Sequence, residues 1–372
     1  MKKKLLLYLM MVLPGAGCQH HGGTATSDGV EIIDFTSFSE TEVEQFPDAI
    51  VRERTYINID ASNEELLFKA IDKIKIINDR IYIMGRQDVR TEKLFVFDRT
   101  GAGVGVVGQR GQGPEDYLQI SDFDVNERDD IFFMDGTFNN DRVFVFDKNL
   151  QFVSVRKLPF EADILKCLPG DRLLFGLASW NRGQNASMKL AVTDRDLNTE
   201  QAYMEYDEYI DEVIWVSYYF FIDVDGRIQY NRQIDNNVHE ISPEGNLTKT
   251  YRIDFGKKNL PDIYKKDIEA NREEMKRYCY LLNFAAITDR YILGTLSDRG
   301  RIKAYIADRN SRKLYTMGMP DKISDMSLYA DNLFITYLYP GKYEDLESKN
   351  LPPEVKKHIE DENFTICLNH LK

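Results

Sequence analysis

Leu94-Phe95-Val96-Phe97-Asp98 returns further along the chain as Val143-Phe144-Val145-Phe146-Asp147. Each copy is a short apolar run closed by Asp, a residue that favours turns. Each follows an earlier strand-like run, Arg80-Ile81-Tyr82-Ile83-Met84 in one case and Asp130-Ile131-Phe132-Phe133-Met134 in the other. A supersecondary unit repeated at such an interval marks a β-propeller or a solenoid.

Working outward from those two copies, the chain divides into six units. They fall at about residues 71–108, 120–158, 164–204, 219–253, 284–317 and 326–368, the last with a long interruption. Each complete unit carries four short strands, the content of a propeller blade. The sixth lacks its fourth strand. The alternating run Thr55-Tyr56-Ile57-Asn58-Ile59-Asp60 is left over and can supply it, closing the ring and hiding an edge. A solenoid has no need of that exchange. The expected fold is therefore all-β, a six-bladed β-propeller of four-stranded blades closed by an N-terminal strand. Residues 261–282 predict a helix with an apolar stripe of Tyr264, Ile268, Met275, Tyr278 and Leu282, and residues 352–359 predict a second, shorter one.

The links are unequal. Those joining first to second strands are tight, such as Pro169-Gly170-Asp171 and Asp225-Gly226, and so are those joining third to fourth. Long segments occur at 179–187, 207–217, 257–282 and 339–362, between second and third strands or between blades. In a propeller both of those link types open on one face. Insertions gathered on one face mark the binding face. The expected ligand contacts there are Arg110, Trp180, Asn181, Arg182, Tyr218, Arg232 and Arg299. Arginine supplies paired donors and the aromatic rings supply stacking area. The expected ligand is a glycan, a peptide or a partner envelope protein.

The N-terminus reads as a leader. Lys2, Lys3 and Lys4 precede the apolar run 5–13, and Gly15-Ala16-Gly17-Cys18 follows. The apolar run is shorter than the roughly 20 residues a membrane span needs. Ala16-Gly17-Cys18 resembles the lipobox of bacterial lipoproteins, with Gly15 departing from the usual Leu. The resemblance implies cleavage after residue 17, a lipid on Cys18, and, with Gln19 next, an outer-membrane lipoprotein on the periplasmic face. The expected organisation is a signal peptide at 1–17, a flexible tether at 18–45 and the propeller at 46–372.

The net charge of −13 repels nucleic acid, whose affinity comes largely from phosphate contacts. Cys167, Cys279 and Cys367 form no CxxC motif and are expected to behave as small buried hydrophobes. No His-Glu-x-x-His or Gly-x-Ser-x-Gly pattern occurs. The Gly-rich run 108–117 has no following Gly-Lys-Ser/Thr, so it reads as a turn between blades and not as a phosphate loop. No cofactor is expected. The alternative to a binding module is a metal-dependent hydrolase or lyase with a divalent ion in the channel, held by Asp122, Asp124 and Asp223 near inner-strand ends. The propeller is expected to be monomeric.

The Gly111-Gln112-Gly113-Pro114-Glu115-Asp116-Tyr117 run, the Phe-Val-Phe-Asp repeats and the leader together resemble the six-bladed β-propeller lipoproteins of gut Gram-negative bacteria. The resemblance spans about residues 50–372. It implies a lipid-anchored propeller and assigns no activity.

Overall fold

The computed structural model describes residues 29–44, 46–60, 62–88, 91–136, 141–206, 220–318, 327–330, 333–338 and 351–372. Strands β1 (Val30–Asp34), β2 (Ser39–Glu42) and β3 (Val51–Asn58) come first. Blade 1 is β4 (Ala70–Ile77), β5 (Arg80–Arg86), β6 (Glu92–Asp98) and β7 (Gly103–Val107). Blade 2 is β8 (Ile120–Val125), β9 (Ile131–Asp135), β10 (Arg142–Phe146) and β11 (Phe152–Lys157). Blade 3 is β12 (Ala162–Leu168), β13 (Arg172–Leu177), β14 (Met188–Thr193) and β15 (Thr199–Glu205). Blade 4 is β16 (Ile222–Val224), β17 (Arg227–Tyr230), β18 (Asn237–Ile241) and β19 (Leu247–Asp254). Blade 5 is β20 (Cys279–Ile287), β21 (Tyr291–Asp298), β22 (Arg301–Asp308) and β23 (Lys313–Gly318). Blade 6 is β24 (Ser327–Ala330), β25 (Leu333–Leu338) and β26 (Thr365–Leu371), completed by β3.

The repeated motif earns its composition from this geometry. A central blade strand is buried on both faces, so alternation sends its side chains into two different cores. Leu94 and Val96 enter the core between blades 1 and 2, while Phe95 and Phe97 enter the core between blades 6 and 1. In the second copy Phe144 and Phe146 face blade 1 and Val143 faces blade 3. The closing Asp then caps the next turn. Asp98 Oδ1 accepts from the N–H groups of Thr100 and Ala102 at 2.8 and 3.0 Å, and Asp147 Oδ1 from those of Asn149 and Gln151 at 2.8 and 2.9 Å. Asp194 does the same in blade 3.

Ring closure follows the expected route. β3 pairs antiparallel with β26 from Asn58↔Thr365 to Val51↔Leu371. A terminus-to-terminus seam of this kind completes blade 6 and covers the edge of β26.

The expected tether at 18–45 requires correction. β1 adds in parallel to β19 as a fifth strand of blade 4, and β2 adds in parallel to β23 as a fifth strand of blade 5. The segment joining them buries Phe35 and Phe38 in the core between those blades. Glu31 bridges the blades, lying 2.7 Å from Lys249 and 2.7 Å from Arg309. Alternating residues of 30–35 carry enough apolar surface to dock, and two open blade edges offer backbone partners.

The helix expected at 261–282 is shorter. A 3₁₀ turn, Asp262–Lys266, precedes α1 (Ile268–Met275), and β20 has already begun at Cys279. Of the stripe residues on α1 itself, Met275 is the buried one. Asp267 caps the helix by accepting from the Ala270 N–H at 2.9 Å. The second helix, α2 (Pro353–Glu360), forms where expected and starts on a proline. Both helices lie in links that open on the insertion-bearing face. Among the described residues Cys167, Cys279 and Cys367 form no disulfide; Cys367 and Cys279 are buried and Cys167 is half-buried.

Candidate functional site at the channel mouth

The first strand of each blade lines the central channel. In β4 the chain places Lys73 and Lys75 there, in β8 Asp122 and Asp124, in β12 Lys166 and in β16 Asp223. The three aspartates proposed from sequence do converge, and each meets a lysine. Lys73 donates to Asp122 at 2.6 Å and to the Phe123 carbonyl at 2.7 Å. Lys75 bonds Asp124 and lies 3.6 Å from Asp223. Lys166 lies 2.8 Å from Asp223 and 3.2 Å from Asp124. Lys75, Asp223, Lys166 and Asp124 thus close a ring of alternating charge.

Backbone groups fix the buried carboxylates. Asp122 accepts from the N–H groups of Phe123 at 2.8 Å and Leu165 at 2.9 Å, and Asp124 from Cys167 at 2.8 Å. These bonds tie the inner strands of blades 2 and 3 together. Burial alone would raise the Asp124 carboxyl, but Lys166 and Lys75 hold it well below its ordinary value. Burial opposes the charged form of Lys166 too, and Asp124 and Asp223 more than offset it. Asp122 keeps the upward shift that burial imposes, in spite of Lys73. A metal ion at these carboxylates would have to displace ammonium groups already bonded to them. Among the described residues, no cluster of His, Cys, Asp or Glu is arranged to hold a metal ion.

Towards the insertion-bearing face Phe220 closes over the lattice, with Lys73 Nζ 4.7 Å from its ring centre. Towards the other face the channel opens into a cavity of about 420 Å³. Its floor is Lys75, Lys166 and Asp223, and its walls include Ile77, Val125, Leu168 and Ile228. The rim comes from the tight turns after the first strands of blades 2, 3 and 4 and from Pro243. Those turns need left-handed backbone, supplied by Asp129, Gly170, Asp171, Asp225 and Gly226. Arg128 bonds Asp171 across the rim and lies 3.2 Å from Asp130. Arg172 reaches from blade 3 to the Glu244 carbonyl of blade 4 at 3.1 Å. The size falls in the range of small-molecule sites. A smaller cavity of about 120 Å³ adjoins it and shares Arg128 and Asp171.

This cavity lies on the face opposite to the expected one. The expected contacts also separate. Asn181 is 3% exposed, and its carbonyl accepts from the N–H groups of Glu161 and Gly183 at 3.1 and 2.9 Å while its amide donates to Gln184 at 2.8 Å. It braces its own loop and is no ligand contact. Arg232 is 2% exposed, bonds the Tyr206 hydroxyl and stacks 4.7 Å from that ring, so it packs blade 4 against blade 3. Arg110, Arg182 and Arg299 are exposed and Trp180 is half-buried; Trp180 and Arg182 share the β13–β14 link, while Arg110 lies between blades 1 and 2 and Arg299 between β21 and β22. Arg110 also donates to the Leu118 carbonyl at 2.9 Å, and Arg299 lies 3.4 Å from Asp298. Tyr218 and Cys18 fall outside the described residues.

Lys73, Lys75, Lys166 and Arg128 were not among the expected site residues. Their signal was available: the offset that carries Leu94 onto Val143 also carries Lys73 onto Asp122 and Lys75 onto Asp124. Opposite charges at one repeat position on adjacent blades mark facing partners.

Residues 22–330 match the family DUF5128, described as a 6-bladed beta-propeller. Among curated proteins none matches. A protein described as exported, from Bacteroides fragilis NCTC 9343, is similar in structure, with TM-score 0.70 and 16% identity over 92% of this chain and 99% of that one. A duf4221 family member from Bacteroides vulgatus gives TM-score 0.48 and 9% identity over 87% and 97% of the two chains. Virginiamycin B lyase from Staphylococcus aureus gives 0.39 and 8% over 78% and 82%. The first likeness shows a shared fold, and the other two are too distant to carry an argument. No helix among the described residues is long and apolar enough to cross a membrane.

Proposed function

The chain belongs to this family of six-bladed β-propellers, and from that footing we propose that it is a lipid-anchored cell-envelope binding module whose ligand enters the channel mouth. The observation that carries the reading is the cavity of about 420 Å³ whose floor is Lys75, Asp223 and Lys166, with Asp124 closing the charge ring beneath them. The ring offers fixed donors and acceptors, and the apolar walls offer area to bury. The metal-dependent hydrolase or lyase is the weaker reading, because all three channel aspartates are bonded to lysines.

The leader supports export. Lys2–Lys4, the apolar run and Ala16-Gly17-Cys18 suit a lipid on Cys18 and an outer-membrane position, periplasmic face inward. A structural relative described as exported is in keeping with export alone. On the loop-bearing face Arg110, Arg182 and Arg299 remain exposed, available to a glycan, a peptide or an envelope partner.

The test uses the chain from Gly29 on glycan and peptide arrays, beside the variant Glu127→Trp, which fills the cavity rim. Binding that the variant loses supports the channel mouth as the site. Binding that it keeps moves the site to the loop-bearing face. Separately, labelled fatty acid should enter the full chain in cells and not the Cys18→Ser variant.

A further inference from the structure

Resting on the channel-mouth reading, we propose that the ligand is a neutral carbohydrate that presents a vicinal diol to Asp223, Lys75 and Lys166.

The charges of the cavity argue for a neutral ligand. Among the described residues three cations line it, Lys75, Arg128 and Lys166, and three anions, Glu127, Asp171 and Asp223. Most of them are paired with one another: Asp223 with Lys166, Arg128 with Asp171, and Lys75 with Asp124 beneath the floor. An incoming anion meets Asp223 and an incoming cation meets two ammonium groups, so either must break a pair to make one. A neutral hydroxyl group breaks none.

The open valences argue for hydroxyls in particular. Asp223 gives its Oδ2 to Lys166 at 2.8 Å and to Lys75 at 3.6 Å. No described residue hydrogen-bonds its Oδ1, and the side chain is 47% exposed at the floor. Each ammonium has three donors and meets two carboxylates, which leaves an N–H on each side of Asp223. The floor therefore offers one acceptor flanked by two donors. A hydroxyl both donates and accepts, so two adjacent hydroxyls can give a proton to Oδ1 and accept from the lysines. A peptide amide donates at its nitrogen and accepts at its carbonyl but has no single atom that does both. The aliphatic walls, Ile77, Val125, Leu168 and Ile228, suit the C–H face of a sugar ring. The adjoining cavity beyond the Arg128–Asp171 rim gives room for a further residue of an oligomer.

The test measures binding by isothermal titration to four trimers: N-acetylglucosamine and galactose trimers as neutral probes and their charged counterparts, glucosamine and galacturonic acid trimers. We expect a neutral trimer to bind at least tenfold more tightly than its charged counterpart, and both Asp223→Asn and Lys166→Met to weaken it about tenfold or more. Tighter binding of a charged trimer, lost in Glu127→Trp, overturns the neutral-diol inference and leaves the channel-mouth reading standing. Neutral binding unchanged in Asp223→Asn also overturns it. If no trimer binds and Glu127→Trp leaves every array signal intact, the channel-mouth reading itself falls. Melting curves of both variants, with far-UV circular dichroism, separate lost binding from lost folding.

Discussion

Lys166 Nζ lies 2.8 Å from Asp223 Oδ2, yet Asp223 keeps 47% of its side chain exposed while Lys166 keeps 11%. The pair is thus asymmetric: a buried cation holds a carboxylate that solvent still reaches. Asp124, on the other side of the same ammonium, is 2% exposed and additionally fixed by the Cys167 N–H. Asp223 is therefore the replaceable member of the ring.

Asp223→Asn should cost little stability, about 1 kcal/mol or less, because solvent screens the exposed carboxylate. It leaves Lys75 and Lys166 facing Asp124 alone, so the cavity gains one net positive charge. Sulfate and phosphate should then raise the melting temperature of the variant and leave that of the parent unchanged. A variant indifferent to both anions would show that the ring is not open to the cavity.

Lys73→Met should be far more damaging. Its Nζ is the ionic partner of Asp122, which is fully buried. Removing one member of a buried pair strands the other, at a cost of about 3–5 kcal/mol. Urea unfolding at neutral pH should show the loss, and Lys73→Met/Asp122→Leu together should recover part of it.

Asp141 makes stability depend on pH. Burial, and then Glu161, Asp163 and Asp135 close by, push its carboxyl from 3.8 up to about 7, against the Ala162 N–H that bonds it at 2.9 Å. A carboxyl raised on folding favours the protonated native state. Its contribution is complete below about pH 4 and is lost as pH rises to about 7, at up to about 1.4 kcal/mol per unit. Asp141→Asn retains an acceptor for Ala162 and carries no charge. Urea midpoints between pH 5 and 8 should therefore fall less steeply for the variant than for the parent.

The N-terminal arm should matter as much as the blades it covers. Phe35 is buried with ring centres 5.5 Å from Phe255 and 5.6 Å from Tyr305. Phe35→Ala should cost about 3–5 kcal/mol. A chain begun at Glu44 loses β1, β2 and the Glu31 bridge, and should unfold at lower urea than one begun at Gly29.

Much of this architecture was legible because strand pattern and turn chemistry repeat. The Phe-Val-Phe-Asp runs state a strand buried on both faces and the turn that ends it. The leftover strand at Thr55 found its place in blade 6 because only one blade lacked a partner. The arm at 30–42 was obscured by its Ser, Thr and Glu content, since parallel pairing to an existing edge is set by backbone and leaves little side-chain pattern. Asn181 and Arg232 were legible as polar residues on links of the expected binding face, but burial is a tertiary property: Asn181 is consumed in bracing its own loop and Arg232 in packing blade 4 against Tyr206. The Lys–Asp lattice was misread one residue at a time. Asp122 and Asp124 suggest metal ligands until Lys73 and Lys75 are set beside them at the same place in the repeat.

The direction of β1 has a consequence for orientation. It runs parallel to β19, leaving the Ser242–Asn246 turn behind, so the chain arrives from the side of the tight turns and the cavity. The roughly eleven residues from Cys18 to Gly29 span at most about 40 Å even when fully extended. An acyl anchor on Cys18 would therefore be a short leash attached at the rim of blade 4, and the channel mouth would hang within about one protein diameter of the lipid headgroups. Solutes at the bilayer surface would meet the cavity before those in the open compartment, and lengthening the leash would change which of the two the propeller samples.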